Sequence, residues 1–226
     1  MIRRPETGDG AVNRVPAFEV TDPAVIAGLI RALAFAQVVT HGAEGFAASS
    51  VPLLLDEPEE GPWRLRGHVS RSNPQAKIGE GSVPAVALFV GPHACVSPSA
   101  YPSKAETGKV VPTWNYVEVH AHGTLQLTDN VDRTLAAVTD LTDAHEADRA
   151  EPWRVADAPA GYVGGLARGI VSFELVVDRV EAKAKLSQNK SEYDRVGVIE
   201  DLAGGIGGAP EIARLMGLGA FDRPEL

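Results

Sequence analysis

Three β-rich runs at hairpin spacing constrain the fold of this chain more than any other feature of its sequence. They span residues 35–40, 46–55 and 63–69. Glycine, proline and acidic residues typical of turns separate the runs. An amphipathic helix precedes them, because residues 21–23 read Thr-Asp-Pro, a capping signal, and apolar residues follow at helical spacing up to Leu33. One helix followed by three closely spaced strands predicts an antiparallel sheet or barrel.

Further strands are predicted in the middle and towards the end of the chain. They span residues 83–90, 114–127 and 170–177. The segment 93–97 is predicted to continue the first of them beyond a bend at Gly91 and Pro92. The last of them is predicted to stay extended towards Ala182.

Helices are predicted between and after these strands. They span residues 74–80, 128–147, 160–168, 191–202 and 210–216. Thr128 and Asp129 are the predicted cap of the longest helix, and Ser191 that of the fourth. The glycines of 204–208 follow a helix rather than a strand, so we interpret them as a linker and not as a nucleotide-binding loop.

Composition and charge limit the classes of function. A chain of 226 residues with 44% hydrophobic and 23% charged residues is long enough for a globular domain with a core. Its net charge of −9 opposes binding of the whole molecule to nucleic acid or anionic membranes. The single cysteine, Cys95, precludes an intrachain disulfide and fits the reducing cytoplasm. A signal-peptide core and a membrane-spanning apolar run are both lacking, so we expect a cytoplasmic protein.

The segment Val111–Tyr116, which reads VPTWNY, is the strongest candidate for a ligand site. Side chains alternate along a strand, so Trp114 and Tyr116 are predicted on one side and Thr113 and Asn115 on the other. An aromatic face backed by a hydrogen-bonding face suits a flat ligand with polar edges. The alternative is a structural role, in which the Trp and the Tyr cap one end of a barrel.

Three segments carry groups suited to a phosphate or another anion. Residues 67–74 read GHVSRSNP, which places hydroxyls and an arginine beside a predicted helix N-terminus. The proline-rich loop 97–104 ends in Lys104, and residues 179–190 hold four basic residues and one acid. For each segment the alternative is a solvated surface.

Two histidines, His120 and His122, are predicted on the same side of one strand. Such a pair can bind zinc or iron when a third ligand converges. The sequence offers no Cys, Asp or Glu at metal-ligand spacing near them. We therefore predict no metal site, and interpret both residues as polar side chains on one barrel face.

The motifs GHVSRSNPQ, SPSAYPSK, GKVVPTWNYVEVHAHG and KAKLSQNKS together resemble the PaiB-type family of FMN-binding negative transcriptional regulators. The resemblance extends from about residue 13 to residue 202. It implies a mainly β (α+β) fold, the split β-barrel, a Greek-key antiparallel six-stranded barrel with flanking helices. It also implies a homodimer that holds flavin between its subunits.

The resemblance divides the chain into three parts and implies the cofactor-binding residues. Residues 1–13 become a flexible N-terminal extension, 14–203 the FMN-binding split-barrel domain, and 204–226 a C-terminal linker with a short helix. The implied cofactor-binding residues are His68, Ser70, Arg71, Asn73, Lys104, Thr113, Trp114, Asn115, Tyr116, Gln188 and Asn189. The catalytic residues, if the protein is an enzyme, are not implied.

Two departures from the family pattern affect the expected cofactor. Ala100 stands where members of the family usually have a Trp, and Val15 stands where they usually have a Tyr. If that Trp covers the flavin ring, the resemblance implies a more open site here, with FMN held weakly or not at all.

Three functions remain open from the sequence. The first is a flavin-binding regulator acting on DNA or through a regulatory protein partner, although no helix-turn-helix with a basic recognition face is found. The second is an FMN-dependent oxidoreductase, in which the protein orients and tunes the flavin. The third is a haem-binding protein, for which His68, His93 and His120 are the candidate axial ligands.

Overall fold

The computed structural model describes residues 15–78, 81–219 and 221. The extension predicted over residues 1–13 therefore lies outside the described residues. The described chain divides into two compact units. Unit 1 comprises residues 27–78, 81–89 and 120–180, and unit 2 comprises residues 15–26, 90–119 and 181–219 together with residue 221.

The fold is an antiparallel sheet with flanking helices. The strands are β1 (Glu19–Val20), β2 (Phe35–Gly42), β3 (Gly45–Pro52), β4 (Leu54–Asp56), β5 (Arg64–Ser70), β6 (Ser82–Val96), β7 (Thr113–Thr128) and β8 (Ile170–Lys185). Their order in the sheet is β3-β2-β6-β7-β8-β5-β4, and β1 pairs with β8. Six of these strands are long, whereas β1 has two residues and β4 has three. The predicted mainly β fold of split-barrel type is confirmed.

Within the described ranges, six α-helices and several short 3-10 helices lie between the strands or follow the last one. The helices are α1 (Pro23–Leu33), α2 (Lys104–Thr107), α3 (Val131–Glu146), α4 (Tyr162–Ala167), α5 (Glu192–Ala203) and α6 (Ala209–Gly217). One 3-10 helix, Pro74–Ile78, occupies the position of the short helix predicted over 74–80. None of the helices in the described ranges is long and apolar enough to cross a membrane.

Unit 1 is built on the β2–β3 hairpin and on the pairing of β5 with β4 and β8. The hairpin pairs Phe35 with Pro52 at one end and Gly42 with Gly45 at the turn. A close approach involves Gly67 of β5, where an added Cβ would lie 2.8 Å from the Leu53 side chain. The buried core of unit 1 includes Val38, Leu65, Phe89 and Leu175, each at most 1% exposed.

A salt-bridge network fixes α3 to β4 and β5 in unit 1. The Arg66 guanidinium bonds both Asp56 oxygens, at 2.5 and 2.9 Å, and also bonds Asp140 of α3 at 2.6 Å. The hydrogen bond that Arg66 donates to Asp56 is the main cause of a raised pKa for Arg66, which keeps the side chain charged. The network thus joins one helix to the sheet through a single cation.

Unit 2 contains the ends of the long strands and the last two helices. β1 pairs with the end of β8, with Glu19 opposite Lys183 and Val20 opposite Ala182. Val198 of α5 and Ile212 of α6 are fully buried. The stretch 204–208 joins these helices, and an added Cβ at Gly208 would lie 2.7 Å from the His93 carbonyl oxygen.

Two local predictions were wrong. Asn130, and not Thr128 or Asp129, caps α3, because its Oδ1 accepts a hydrogen bond from the Arg133 amide at 3.0 Å. β6 also runs without interruption through Gly91 and Pro92 to Val96, so the predicted continuation over 93–97 is confirmed and only the break at Gly91 and Pro92 is wrong. Its pairing with β2 ends at Leu88, so the missing N–H of Pro92 breaks no hydrogen bond to that strand.

Candidate functional site

Four predicted cofactor-binding residues lie in unit 1, and the most basic of them is already engaged. The guanidinium of Arg71 forms a 2.7 Å ion pair with Asp129 and donates to the carbonyls of Arg168 at 3.0 Å and Ile170 at 3.4 Å. The Ser70 hydroxyl lies 2.9 Å from that of Ser72. The donors of this turn are therefore satisfied within unit 1, and its predicted role in binding phosphate stays a prediction.

Asn73 and His68 differ in how their polar atoms are used. Asn73 accepts from the Gln75 amide at 2.9 Å and donates to the Ser49 hydroxyl at 2.8 Å, so it caps the 3-10 helix. His68 lies on β5, and its buried Nδ1 finds no hydrogen-bond partner among the described residues. Burial lowers the pKa of the His68 imidazole, which favours the neutral ring.

The VPTWNY segment begins β7 in unit 2 and shows the predicted alternation. Trp114 is 54% exposed, and its ring centroid lies 6.2 Å from that of the exposed His93. Asn115 is fully buried and donates to the Ser187 hydroxyl at 3.0 Å and to the Met216 sulfur at 3.4 Å. Trp114 is therefore accessible to a ligand, whereas the Asn115 amide ties β7 to α6 and to the end of β8, and the predicted roles of both in cofactor binding stay predictions.

Three lysines of unit 2, Lys183, Lys185 and Lys190, form a group that we call the lysine cluster. The ammonium of Lys183 lies 5.3 Å from the Tyr116 ring centroid. That of Lys185 donates to the Thr113 hydroxyl at 2.5 Å. Burial, and then the charges of Lys183 and Lys190, lower the pKa of the Lys185 ammonium. Lys183 and Lys190 thus lie close enough to Lys185 to destabilise the charge of its ammonium.

A buried phenol lies beside the third lysine. The Lys190 ammonium is 5.2 Å from the ring centroid of Tyr101, which is 2% exposed. The Tyr101 hydroxyl has no hydrogen-bond partner among the described residues. Burial, and then the charge of Asp194, raise the pKa of this hydroxyl, so it keeps its proton and remains a donor.

Two acids, Glu19 and Asp194, lie near members of the lysine cluster. Glu19 lies opposite Lys183 in the pairing of β1 with β8. The Asp194 carboxylate accepts from the amide and hydroxyl of Ser103, at 3.1 and 2.9 Å. In sequence, residues 179–190 hold four basic residues and one acid, on a protein with a net charge of −9.

The remaining predicted residues of unit 2 have different surroundings. The Gln188 side chain bonds the backbone of two preceding residues. It accepts from the Leu186 amide and donates to the Ala184 carbonyl, each at 2.7 Å. Lys104 and Asn189 are exposed. Ala100 is buried, at 6% exposed, and its carbonyl oxygen would lie 2.5 Å from a Cβ added at Gly197. The roles predicted for Lys104, Gln188 and Asn189 in cofactor binding stay predictions.

The donor set of unit 2 fits the phosphate of a flavin mononucleotide. A phosphate dianion takes charge-assisted hydrogen bonds from ammonium groups and further bonds from hydroxyls. The lysine cluster, Thr113 and the buried Tyr101 hydroxyl are groups of this kind. Exposed Trp114 and His93 offer aromatic surface to a ring.

Sequence reasoning did not select the lysine cluster or Tyr101. The predicted site includes the amides at the end of the basic stretch 179–190 and omits its lysines. The signal that could have identified them is the spacing of Lys183 and Lys185, which places both side chains on one side of β8. Lys190 and Tyr101 are far apart in the sequence, so no spacing indicates that their side chains meet.

The histidine pair of β7 is found in unit 1. The ring centroids of His120 and His122 are 6.4 Å apart, and Nδ1 of His122 lies 3.2 Å from the guanidinium of Arg179. The expectation that these residues hold no metal stays a prediction.

Comparison with known proteins identifies the family. Residues 14–179 match the family model described as "Putative FMN-binding domain". The chain belongs to this family. Protease synthase and sporulation protein PAI 2 of Bacillus subtilis is 30% identical over 82% of this chain and 86% of its own length. The predicted PaiB-type relationship is therefore confirmed.

Two further proteins extend this comparison. Uncharacterized protein AN0679 of Emericella nidulans is 34% identical over 67% of this chain and 73% of its own length. The solved structure of the FAD and heme binding protein from Mycobacterium smegmatis aligns with a TM-score of 0.55 and 16% identity. That alignment covers 84% of this chain and 82% of the other. At this identity the match supports the shared fold alone.

Proposed function

We propose that this protein binds FMN, and that the lysine cluster of unit 2 receives the cofactor's phosphate. The observation that carries this proposal is the position of the Lys185 ammonium, which donates to Thr113 while burial, and then the charges of Lys183 and Lys190, lower its pKa. A dianion bound there offsets the mutual repulsion of the three cations. Membership of the FMN-binding domain family supports flavin as the molecule that carries the phosphate.

Different residues of unit 2 contact different parts of FMN in this proposal. Lys183, Lys185 and Thr113 hold the phosphate, and the protonated Tyr101 hydroxyl is a further donor. Trp114 presents an accessible indole to the ring. Bound flavin would supply a ring that accepts and donates electrons. The protein's own part is to bind and orient that ring, with the His93 ring or the Trp114 edge limiting access of water to one side.

We propose a homodimer in which a second copy covers part of unit 2. Val111 and Trp114 are 72% and 54% exposed, and Ile206 and Leu218 are 93% and 63% exposed. Apolar side chains as accessible as these favour burial against a partner surface. A flavin held between two copies would also be shielded from solvent more fully than one copy allows.

We further propose that any regulatory action proceeds through a protein partner. The positive charge near the proposed flavin site is confined to a few lysines, and the net charge of −9 repels the DNA backbone. A flavin bound between subunits links the redox state or supply of the cofactor to the shape of the dimer surface. Such a surface is suited to contact with another protein.

The decisive experiment compares FMN with riboflavin, which has the same ring but no phosphate. Titration followed by flavin fluorescence is expected to give tighter binding of FMN. Replacing Lys185 by Met removes one charge-assisted hydrogen bond and is expected to weaken FMN binding by about 10-fold to 100-fold. Riboflavin binding should not change. The melting temperature of the Lys185→Met apoprotein should not fall, because the substitution relieves like-charge repulsion.

The matched control is Lys109→Met, which removes an exposed lysine of the same unit. It should leave the affinities for FMN and riboflavin unchanged. Equal affinity of the native protein for the two flavins, or equal loss in both lysine variants, would contradict the assignment of the phosphate site. A Soret band on adding haem, with no flavin bound, would instead identify a haem protein. Bleaching of bound flavin by NAD(P)H would identify an oxidoreductase.

A further inference from the structure

A cleft of about 370 Å³ lies beneath the β2–β3 hairpin of unit 1, apart from every residue of the lysine cluster. Its lining includes Thr40, Glu44, Phe46, Gln75, Lys77 and Ile78. The volume is within the range of small-molecule sites, which begins at roughly 300 Å³. Its walls combine an aromatic ring, a buried amide and few charges.

The buried amide belongs to Gln75, which is 3% exposed. Its Nε2 donates to the Val38 carbonyl at 3.0 Å, the Thr40 hydroxyl at 3.1 Å and the Ala47 carbonyl at 3.3 Å. These bonds hold the amide in one orientation. No described residue donates a hydrogen bond to its Oε1, which leaves an acceptor in a fixed position on the wall of the cleft.

The capped turn before Gln75 adds to this fixation. Asn73 accepts a hydrogen bond from the Gln75 backbone amide at 2.9 Å and is itself anchored to Ser49 of β3 at 2.8 Å. Both ends of the glutamine, the backbone and the side chain, are therefore held by the hairpin. Gln75 Oε1 is not among the fully buried polar atoms that lack a partner, so it is open to the cleft, where a ligand N–H could replace water as its donor.

The aromatic wall is Phe46, which is 80% exposed. Its ring meets that of His41 at a centroid distance of 4.6 Å and an angle of 52°. This contact restrains the phenyl ring while leaving most of it open. A planar ligand ring could therefore stack on Phe46 with little loss of side-chain freedom.

The charges of the lining argue for a neutral ligand. Among the described residues that line the cleft, Glu44 and Lys77 are charged, and their signs are opposite. This described lining thus has no excess of either charge. Recognition would come from stacking and one hydrogen bond rather than from attraction of an anion.

We propose that this cleft is a second ligand site, which binds a neutral planar heteroaromatic molecule with an N–H donor, the chemical class of a nucleoside. Phe46 stacks on the ring, and Gln75 Oε1 accepts its N–H. The site does not depend on the proposed flavin site, because the two share no residue.

The test uses the full-length protein and adenosine as the probe, with binding measured by calorimetry in the presence and absence of saturating FMN. Adenosine is expected to bind at micromolar to millimolar concentration in both conditions. Phe46→Ala should weaken binding about tenfold, because stacking of a base on an aromatic side chain contributes about that much. Purine riboside, which lacks the exocyclic amine, should bind more weakly than adenosine to the native protein.

The matched control is Phe35→Ala, which removes an exposed phenylalanine of the same hairpin that does not line the cleft. It should leave adenosine binding unchanged, and the circular dichroism spectra of both variants should match that of the native protein. No heat of binding at millimolar adenosine, or equal affinities in the Phe46→Ala and Phe35→Ala variants, would overturn the proposal. Loss of adenosine binding on saturation with FMN would overturn the separate site, and would not affect the test of FMN against riboflavin.

Discussion

At the scale of single residues, Asp194 shows how one buried carboxylate joins two segments of unit 2. It is 8% exposed, accepts two hydrogen bonds from Ser103, and donates its own amide to the Ser191 cap of α5. Burial alone would raise the pKa of this carboxyl. The bonds from Ser103 and Ser191, and the charge of Lys190, outweigh it and hold the pKa below the ordinary value of 3.8. The ionised form is therefore the stabilising one.

The sign of the pH dependence follows from that depressed pKa. The contribution of Asp194 to stability is fully present above about pH 3.8 and is lost as the pH falls through the lower folded value. We expect Asp194→Asn to lower the free energy of unfolding at pH 7 by about 1 to 3 kcal/mol. Between about pH 5 and pH 2 the free energy of unfolding should fall less steeply in this variant than in the native protein. Urea midpoints measured across that range test this. Glu192→Gln, on the exposed start of α5, is the control, and an unchanged slope in the Asp194 variant would refute the assignment.

Residues that bind a ligand and residues that support the fold were not separable by type. Asn73, Asn115 and Gln188 were predicted to contact the cofactor, and each forms hydrogen bonds within its own unit. The same residue type serves both roles, so the sequence does not distinguish an amide that caps a turn from an amide that contacts a ligand. Only the identity of the hydrogen-bond partner, often far along the chain, distinguishes them.

At the scale of elements, the strands were predictable because turn residues separate them and β-branched residues fill them. The exceptions arose where the partner strand decides the outcome. β6 continues through Pro92 because β2 has already ended its pairing at Leu88. The sequence carries no record of where a neighbouring strand stops, so an internal proline indicated a bend.

Gly123 of β7 gives a prediction at this scale. A Cβ added there would lie 1.9 Å from the Val176 carbonyl oxygen of β8, so Ala cannot be placed without moving a strand backbone. We expect Gly123→Ala to destabilise unit 1 by about 3 kcal/mol or more. Gly164→Ala is the matched substitution in α4, where no atom lies within 4 Å of the added Cβ. It should stabilise by up to about 1 kcal/mol through helix propensity. Urea midpoints distinguish them, and a Gly123→Ala protein with native stability would contradict the close approach.

At the scale of the whole molecule, the fold and the family were accessible from the sequence, because four motifs in fixed order identified them. The assignment of the predicted site residues to two units was not accessible. His68, Ser70, Arg71 and Asn73 belong to unit 1, and the other predicted residues belong to unit 2. Long strands pass from one unit to the other, so nearness in sequence along β7 or β8 does not indicate membership of one site.

The charge of the whole molecule gives the last prediction, which concerns DNA. Three lysines in one cluster and a net charge of −9 support only weak contact with a phosphate backbone. We expect no retarded band with the DNA upstream of its own gene at about 150 mM salt with competitor DNA, with or without FMN. If a complex forms at low salt, the slope of log affinity against log salt concentration should correspond to no more than about three phosphate contacts. Lys185→Met should lower that number by about one. A complex that survives competitor at physiological salt would show direct DNA binding and would refute regulation through a protein partner alone.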